Sequence, residues 1–258
     1  MGKYDQPERR PAVITGASSG IGAATALSLA AAGFPVALAA RRTDRCEALA
    51  EQIRGTGGEA VAYGLDLTDP VSVSDFAKTV TAELGPIEVV VSNAGAVAPG
   101  IVHEVDPDRF AAEVDLTVLG AQRLVRAFVP GMVERRRGDL VFVSSDVVVR
   151  ARPFMSAYAA GKWGLEGMAH AVQMELEGTG VRASIVRPGP TWSEMGSDWA
   201  AEQAAEVLNQ WVRFGLARHP HFLKPAAVAD VIRTVITTAR GIHLNLVEVS
   251  PEAPLEER

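Results

Sequence analysis

The stretch Pro11-Ala-Val-Ile-Thr-Gly-Ala-Ser-Ser-Gly-Ile-Gly22 decides the fold of this chain. It predicts a short buried strand over Pro11–Thr15, then a glycine-rich turn, then a helix over Ala23–Ala32. A helix that begins directly after such a turn offers an anion its free backbone N–H groups and the positive end of its dipole. The stretch therefore predicts a phosphate-binding turn, although a plain tight turn can have the same composition.

Apolar strands and helices alternate along the rest of the chain. The further predicted strands are Val36–Ala40, Ala60–Leu65, Ile87–Val91, Leu140–Ser144, Val181–Val186 and His243–Val249. The predicted helices are Asp44–Arg54, Pro70–Leu84, Arg109–Val129 with its end near Pro130, a helix that bears Tyr158, and Val228–Thr238. This alternation predicts an α/β fold, a doubly wound parallel sheet with helices on both faces.

Polar residues and glycines follow the predicted strands at the point where each strand ends. They are Gly16–Gly22, Asp66, Asn93, Ser145 and Pro188-Gly189. Because ligands of parallel α/β sheets bind at the carboxyl ends of the strands, we expect a ligand site at this edge.

Residues 190–225 interrupt the alternation. A helical stretch over Asp198–Phe214 carries apolar and aromatic side chains and predicts a substrate lid over the cleft. An amphipathic helix packed on the core would have the same pattern. Residues 1–10 are expected to form a flexible tail and residues 11–258 a single domain.

Composition excludes several classes of protein. The chain has 258 residues, a net charge of −6 and no basic stripe, so nucleic acid is not an expected partner. The single Cys46 excludes an internal disulfide, and the scattered histidines predict no metal site. No apolar run approaches the ~18 residues of a membrane span, and the N-terminus lacks an apolar signal segment. We therefore expect a cytoplasmic protein without membrane association.

Tyr158 and Lys162 are four residues apart, so on a helix they lie on one face, one turn apart. An ammonium about 4 Å from a phenol stabilises the phenolate and would lower the pKa of Tyr158 from about 10 toward neutral pH. General acid–base catalysis works best near that pH. The hydroxyl of Ser145, at the end of the preceding strand, could meet the Tyr158 hydroxyl over a substrate oxygen. A surface Tyr–Lys pair is the alternative.

Arg41 and Arg42 follow directly after the predicted strand Val36–Ala40. In a dinucleotide-binding fold an acidic residue at this place holds the ribose 2′-OH of NAD, whereas an arginine accommodates the 2′-phosphate of NADP. Ala40 followed by two arginines therefore favours NADP over NAD. A solvated pair that opens the next helix is the alternative.

With these residues assembled, the chain resembles the short-chain dehydrogenase/reductase family, in its branch of about 250 residues. The resemblance runs from about Pro11 to about Met195, with weaker agreement to Val249. Its motifs are the glycine turn Thr15–Gly22, Asp66, the turn Asn93-Ala94-Gly95, the set Ser145, Tyr158 and Lys162, Pro188-Gly189, and Ser193.

The resemblance implies a Rossmann fold and reversible hydride transfer between a nicotinamide cofactor and a carbonyl/alcohol pair. It implies that Tyr158 is the general acid/base, that Lys162 holds the nicotinamide ribose and lowers the pKa of Tyr158, and that Ser145 positions the substrate oxygen. The cofactor residues that it implies, together with the two arginines, are Gly16, Ser18, Ser19, Gly20, Ile21, Gly22, Arg41, Arg42, Asp66, Leu67, Asn93, Ala94, Gly95, Tyr158, Lys162, Pro188, Gly189 and Ser193.

The chain departs from the family pattern at two places. Thr117 stands where the family usually carries an asparagine that is thought to hold a water in a proton relay from the lysine. Glu248-Val-Ser-Pro-Glu252 replaces the usual Asp-Gly-Gly after the last strand, where the family makes subunit contacts.

The predicted Tyr158 helix carries Gly161, Gly164 and Gly167, each of which costs about 1 kcal/mol relative to alanine. Close packing is the usual reason to tolerate them. The family pairs this helix across a dimer axis, so the resemblance implies a homodimer or homotetramer. Packing on the chain's own sheet is the alternative.

The function that the sequence favours is an NADP(H)-dependent oxidoreductase acting on an apolar secondary alcohol or ketone. A 3-oxoacyl-thioester reductase and a non-catalytic nucleotide-binding protein are the alternatives. The side chains expected to face a bulky apolar substrate are Val147, Phe154, Trp192, Met195 and Trp199.

Thr117 leads to the first testable prediction. A hydroxyl can donate and accept as an amide can, and an added water bridges its shorter reach at up to about 2 kcal/mol. Thr117→Asn should therefore change kcat by less than about a hundredfold. Steady-state kinetics of the two proteins measures this, and restoration of activity to an inactive native protein would contradict it.

Overall fold

The computed structural model describes residues 8–196, 199–216, 219 and 221–255. Within these residues seven strands form one sheet: β1 (Ala12–Thr15), β2 (Val36–Ala40), β3 (Ala60–Gly64), β4 (Val89–Ser92), β5 (Gly138–Val143), β6 (Val181–Pro188) and β7 (Leu246–Val249). All neighbours pair in parallel, in the order β3-β2-β1-β4-β5-β6-β7, so the strand order reverses between β1 and β4.

Helices connect these strands on both faces of the sheet. The α-helices are α1 (Gly20–Ala31), α2 (Thr43–Gly55), α3 (Pro70–Leu84), α4 (Pro107–Val114), α5 (Gly120–Glu134), α6 (Ser156–Glu175), α7 (Ala201–Arg213) and α8 (Pro225–Thr237). A π-helical segment, Asp115–Leu119, joins α4 to α5, and a short 3₁₀ turn, Asp146–Val148, follows β5.

Two apolar cores lie on opposite faces of the sheet. Helices α1, α2 and α8 bury Leu29, Ile53 and Ile232 in one core. Helices α3, α5 and α6 contribute to the other core, where Phe76 and Leu124 are buried. Strands β1, β2 and β4 are almost wholly apolar because both of their faces are covered. The predicted doubly wound parallel sheet is therefore confirmed.

The helix predicted over Arg109–Val129 is longer than expected at both ends. It begins at Pro107, where the Asp106 carboxylate accepts the N–H groups of Asp108 and Arg109. It also continues to Glu134 with Pro130 inside. An internal proline costs about 3 kcal/mol, but the last turn buries Met132 completely, and burial of such a side chain returns about 1.5–3 kcal/mol.

The ends of the chain differ in part from the predictions. Residues 1–7 of the predicted tail, Asp198 of the predicted lid helix, and residues 256–258 lie outside the described part. Arg10, however, is 5% exposed, because its guanidinium pairs with Asp139 and donates to the Ile236 carbonyl. The predicted tail therefore includes a packed residue. The last strand begins at Leu246 rather than at His243. The single domain stays a prediction.

Among the described residues, none of the helices combines the length and the hydropathy that are needed to cross a membrane.

Candidate active site

A cleft of 420 Å³ lies where the carboxyl ends of β1, β2, β3 and β4 meet. This edge includes the point between β1 and β4 at which the strand order reverses, which is where ligands of such sheets bind. The predicted cofactor residues that line the cleft are Gly16, Ser18, Ser19, Gly20, Ile21, Arg41, Arg42, Asp66, Leu67, Asn93, Ala94, Gly95 and Ser193. The lining does not include the other five predicted cofactor residues, which are Gly22, Tyr158, Lys162, Pro188 and Gly189.

The glycine turn has the backbone geometry of an anion cradle. Gly16 and Gly20 have φ angles of 67° and 54°, in the region that favours glycine. A Cβ at Gly22 would lie 2.3 Å from the Gly16 carbonyl oxygen, so only glycine lets α1 begin this close to the turn. Ser19 precedes α1 without a side-chain cap to its N–H groups. A phosphate-bearing ligand fits this arrangement.

Thr15 ties the two sides of the cleft together, and sequence reasoning did not assign it a role. Its hydroxyl donates to the Val91 carbonyl at 3.2 Å and accepts the backbone N–H groups of Asn93 and Ala94 at 3.0 and 3.2 Å. The Asn93 side chain returns a bond to the Thr15 carbonyl at 2.9 Å. The sequence could have indicated this role, because Thr15 is a polar residue at the carboxyl end of the strand before the glycine turn.

Arg42 rather than Arg41 contacts the glycine turn. Its guanidinium donates to the hydroxyls of Ser18 at 3.0 and 3.2 Å and of Ser19 at 2.9 Å. It also pairs with Glu194 at 2.9 Å. Arg41 is exposed and lines the cleft. Both arginines therefore lie at the end of β2, as the sequence predicts, and add positive charge to the mouth of the cleft.

Asp66 lies at the edge of the cleft beyond β3. Its carboxylate accepts the backbone N–H of Thr68 at 2.9 Å and the Thr68 hydroxyl at 2.7 Å. These bonds lower the pKa of Asp66, so the carboxylate is ionised at neutral pH.

Ser145, Tyr158 and Lys162 are buried together beside this cleft, with 7%, 9% and 3% exposure. The Lys162 ammonium donates to the carbonyl of Val143, the last residue of β5, at 2.7 Å, and lies 5.7 Å from the centre of the Tyr158 ring. A Cβ at Gly95 would lie 3.8 Å from Lys162 Nζ, so the Lys162 ammonium lies next to Gly95 of the cleft lining. The Ser145 side chain lies close enough to the Tyr158 phenol to lower its pKa.

Burial is the largest influence on the pKa values of Tyr158 and Lys162. It raises the pKa of the Tyr158 phenol, and the Ser145 side chain opposes that shift. It also lowers the pKa of Lys162 to about 8. The predicted lowering of the Tyr158 pKa by Lys162 is therefore wrong for the chain itself. The ammonium is directed at the Val143 carbonyl, and the loss of water around the phenolate outweighs its charge.

Thr117 lies in the π-helical segment and packs directly against the Tyr158 helix. It is 4% exposed, and a Cβ at Gly161 would lie 3.2 Å from Thr117 Cβ. A Cβ at Gly164 would lie 2.9 Å from the Val118 side chain, whereas Gly167 has open space. Packing within the chain accounts for the first two glycines. The proton relay through Thr117 stays a prediction.

Two charged side chains next to Ser145 were missed by sequence reasoning. Arg152 holds the Asp146 carboxylate with two bonds of 2.8 and 2.5 Å, and Asp146 accepts a bond of 3.3 Å from the Ser145 hydroxyl. The guanidinium of Arg152 also lies 5.1 Å above the Trp211 ring. No motif marks this pair, because the contact depends on how the segment after β5 folds back.

The segment after β6 reaches the cleft through Ser193–Gly196. Of the side chains expected to face the substrate, Val147 and Trp199 pack in the apolar cluster that contains Tyr158. Met195 lines the cleft that holds the predicted cofactor residues. Trp192 is 62% exposed, and its ring packs on Phe222 at 4.8 Å.

Pro188 and Gly189 lie at the end of β6, away from the cleft lining. Gly189 donates its N–H to the Val249 carbonyl at 2.7 Å, and a Cβ at this glycine would lie 3.2 Å from Pro251.

Phe154, another of the side chains expected to face the substrate, has a φ angle of 66°, and its carbonyl accepts the N–H of Gly100 at 2.9 Å.

Comparison with known sequences agrees with this geometry. The profile of the short chain dehydrogenase family matches residues 10–204. Glycine betaine reductase ATRR of Emericella nidulans is 33% identical over 93% of this chain, which spans 18% of that protein. A short chain dehydrogenase of Pseudocercospora fijiensis is 34% identical over 74% of this chain, which spans 63% of it. A 3-oxoacyl-[acyl-carrier-protein] reductase of Thermotoga maritima is 31% identical, over 87% of this chain and 89% of that protein.

Two solved structures similar to this chain contain NADP or a derivative of it. An alcohol dehydrogenase from Thermococcus sibiricus, complexed with 5-hydroxy-NADP, superposes with a TM-score of 0.82 at 28% identity, over 97% of this chain and all of that one. A metagenomic short-chain oxidoreductase in complex with NADP gives a TM-score of 0.80 at 31% identity, over 94% of this chain and 97% of that one.

The buried ammonium of Lys162 leads to a stability prediction. The lysine pKa is 10.5 in the unfolded chain and about 8 in the fold, so the unfolded chain binds more protons between these values and stability rises with pH there. Lys162→Met removes this cost and one hydrogen bond, and should raise the free energy of unfolding at pH 7 by about 2 kcal/mol. Urea unfolding at pH 7 and at pH 10 measures it.

The gain should shrink at pH 10, where the native lysine is already largely neutral. The control is Lys78→Met, whose ammonium is 73% exposed, and its effect should stay within about 0.5 kcal/mol. A Lys162→Met variant that is less stable than the native protein at pH 7 would contradict the prediction.

Proposed function

The chain belongs to the short chain dehydrogenase family, and from this premise we propose that it is an NADP(H)-dependent oxidoreductase that interconverts a secondary alcohol and a ketone. The observation that carries the proposal is the buried cluster of Ser145, Tyr158 and Lys162 beside a cleft with a glycine-rich anion cradle. A surface Tyr–Lys pair would need neither the burial nor the bond of Lys162 to the Val143 carbonyl.

In this proposal the ketone oxygen lies between the hydroxyls of Ser145 and Tyr158. The high pKa of Tyr158 keeps its phenol protonated at neutral pH, so it can donate that proton to the oxygen. A nicotinamide cofactor held at the glycine turn and the Asn93–Gly95 turn would supply the hydride for the carbonyl carbon. Tyr158 is left as phenolate, which the Lys162 ammonium stabilises below its pKa of about 8. In the reverse direction the phenolate removes the proton from the alcohol.

Asp146 and Arg152 hold the Ser145 hydroxyl before substrate binds in this proposal. Two short bonds from Arg152 fix the Asp146 carboxylate, which then accepts the bond from Ser145. A hydroxyl has one proton to donate, so Ser145 turns that proton from Asp146 to the ketone oxygen when substrate binds.

The preference for NADP rests on charge at the end of β2. Arg41 and Arg42 are both at the cleft, and Arg42 is already oriented by the hydroxyls of Ser18 and Ser19. A 2′-phosphate would meet two guanidinium groups there, and guanidinium groups bind phosphate with paired hydrogen bonds. The NADP in the related structures supports the same preference.

A 3-oxoacyl-thioester reductase is the second candidate, because a relative with that name is 31% identical over 87% of this chain. It shares the chemistry and differs in substrate. A non-catalytic nucleotide-binding role has only Thr117 in its favour. A cytoplasmic location and a homodimer or homotetramer stay predictions.

The role of Tyr158 is tested by removing its hydroxyl. Tyr158→Phe should lower kcat for ketone reduction about a thousandfold or more, because positioned acid–base groups contribute about 10²–10⁴. Fluorescence titration should find NADPH binding nearly unchanged. Tyr63→Phe is the control, because its phenol bonds only to the exposed Glu83 among the described residues. Equal kcat values in the native protein and Tyr158→Phe would refute the proposed function.

The cofactor preference is tested by separate titrations with NADPH and NADH. The native protein should bind NADPH at least about tenfold more tightly, a difference of about 1.4 kcal/mol. Arg42→Ala and Arg41→Ala should each reduce this ratio, and Arg41→Ala combined with Ala40→Asp should reverse it. Arg54→Ala, an exposed arginine farther along α2, should leave the ratio unchanged. Equal affinities of the native protein for both cofactors would show that Arg41 and Arg42 do not bind the 2′-phosphate of NADPH.

A further inference from the structure

Helix α6 carries a second buried ionisable side chain one turn beyond Lys162. Glu166 comes four residues after the lysine, so the two side chains lie on one face of the helix. Glu166 is 6% exposed, and Lys162 is 3% exposed. A buried carboxylate is costly unless it is paired and hydrogen-bonded, so its place next to the lysine of the site needs a physical account.

Arg187 fixes the carboxylate of Glu166. This arginine belongs to β6 and directly precedes Pro188. Its guanidinium donates two bonds to Glu166, from Nε to Oε1 at 3.0 Å and from Nη2 to Oε2 at 2.7 Å. A bidentate pair of this kind sets the orientation of a carboxylate as well as neutralising it. The Glu166 carboxylate therefore has a fixed orientation on α6.

Glu248 completes a set of three charged side chains. It stands opposite Arg187 in the parallel ladder of β6 and β7, and its carboxylate accepts a bond of 2.9 Å from Arg187 Nη1. The bonds to Glu166 and to Glu248 raise the pKa of Arg187 above its ordinary value, so the guanidinium stays charged. Two carboxylates and one guanidinium leave one net negative charge, which matches the single positive charge of the Lys162 ammonium.

The charge of Glu166 acts on the Lys162 ammonium. Burial lowers the pKa of Lys162 to about 8, and Glu166 opposes this shift. The other groups next to the ammonium are uncharged at neutral pH. They are the Val143 carbonyl of β5 at 2.7 Å, the Tyr158 ring at 5.7 Å, and Gly95 of the turn after β4. Glu166 thus supplies the counter-charge of the lysine.

The other charged groups around α6 act on the phenol instead. The π-helical segment packs on α6 through the uncharged Thr117. After burial and the Ser145 side chain, which have the larger effects on the pKa of Tyr158, the charged side chains that act on it are Asp146 and Glu113, which raise the pKa, and Arg152, which lowers it. The phenol and the lysine therefore have separate charged neighbours, and a change at Glu166 is measured at the lysine.

We propose that Glu166 is a positioning residue that acts on the reaction through Lys162, because its carboxylate, fixed by Arg187, keeps the ammonium charged beside Tyr158. The inference rests on the proposed function, in which that ammonium stabilises the Tyr158 phenolate. Without the carboxylate, more of the buried lysine is neutral at neutral pH, and the phenolate loses its counter-charge. The alternative role of the same ion pair is a structural tie between α6 and β6.

The titration of Lys162 tests the inference without turnover. The chain has four lysines, so NMR spectra of protein that is isotope-labelled at lysine Cε can follow each of them, and the resonance missing in Lys162→Met belongs to Lys162. Glu166→Gln keeps the size of the side chain and should lower the pKa of Lys162 by about one unit. Glu166→Asp keeps the charge and should restore most of that difference. Arg187→Gln removes the opposing positive charge and should raise the pKa.

The control variant is Glu88→Gln. Glu88 is a comparably buried carboxylate with a guanidinium partner, Arg137 at 2.9 Å, and it precedes β4 at the amino ends of the strands. This variant should leave the pKa of Lys162 unchanged. An unchanged value in Glu166→Gln would overturn the inference. So would a fall in both Glu166→Gln and Arg187→Gln, because a broken structural tie changes both variants in the same direction. If Glu166→Gln does not fold, the direction of the shift in Arg187→Gln decides.

The pH profile of ketone reduction connects this titration to the reaction. The native kcat should fall as the pH rises through about 8, where the ammonium loses its proton. Glu166→Gln should move this alkaline limb to lower pH by the shift found in the spectra, which lowers kcat at pH 8 about fivefold. A limb that stays in place while the pKa of Lys162 falls refutes the role in the reaction. A native protein that reduces no ketone refutes the proposed function instead, and the lysine titration then decides whether Glu166 acts on Lys162.

Discussion

The hydroxyl of Thr15 is the contact on which the site depends. Strands β1 and β4 are neighbours in the sheet, but the chain continues from their ends to helices on opposite faces of it. The two strand ends therefore have no helix between them. The Thr15 hydroxyl fills this place with one donated and two accepted hydrogen bonds, which fix the Asn93–Gly95 turn against the glycine turn. The crevice between those turns is then a rigid part of the sheet edge rather than a gap between loops.

Burial of the Lys162 ammonium in the catalytic cluster destabilises the fold. Lys162 carries its ammonium into a place where it is 3% exposed, and the carbonyl of Val143 and the charge of Glu166 compensate in part for the lost water. Removing a charge from water is unfavourable unless partners replace the water. The fold holds the lysine because α6 packs in the core beside the sheet through residues such as Leu165 and Ala169. The packing of α6 therefore offsets the unfavourable desolvation of the Lys162 ammonium.

Much of this arrangement could be predicted from the sequence, because the signals are local. The glycine turn, the alternation of apolar strands with helices, and the Tyr158–Lys162 spacing each depend on residues that are close along the chain. The continuation of the helix through Pro130 could not be predicted, because it depends on Met132 reaching the core. The pKa of Tyr158 was predicted in the wrong direction, since burial is a property of the packed fold.

Glu113 illustrates the same limit within the site. In the sequence it is one more acidic residue of an amphipathic helix, and nothing near it suggests burial. It becomes unusual only when Ala98 and Tyr158 are brought next to it by the segment after β4 and by α6. Asp146 and Arg152 form a similar case, since their spacing matches no motif.

The contact between Thr117 and Gly161 constrains the order in which this site can change during evolution. Because a Cβ at Gly161 would lie only 3.2 Å from Thr117 Cβ, a side chain at position 161 requires Thr117 to move, and a larger residue at position 117 needs glycine at position 161. A lineage that exchanged Gly161 for alanine would close the route to a bulkier residue at position 117, and the reverse also holds. Substitutions at positions 117 and 161 are therefore expected to occur together, one in the π-helical segment and the other in α6.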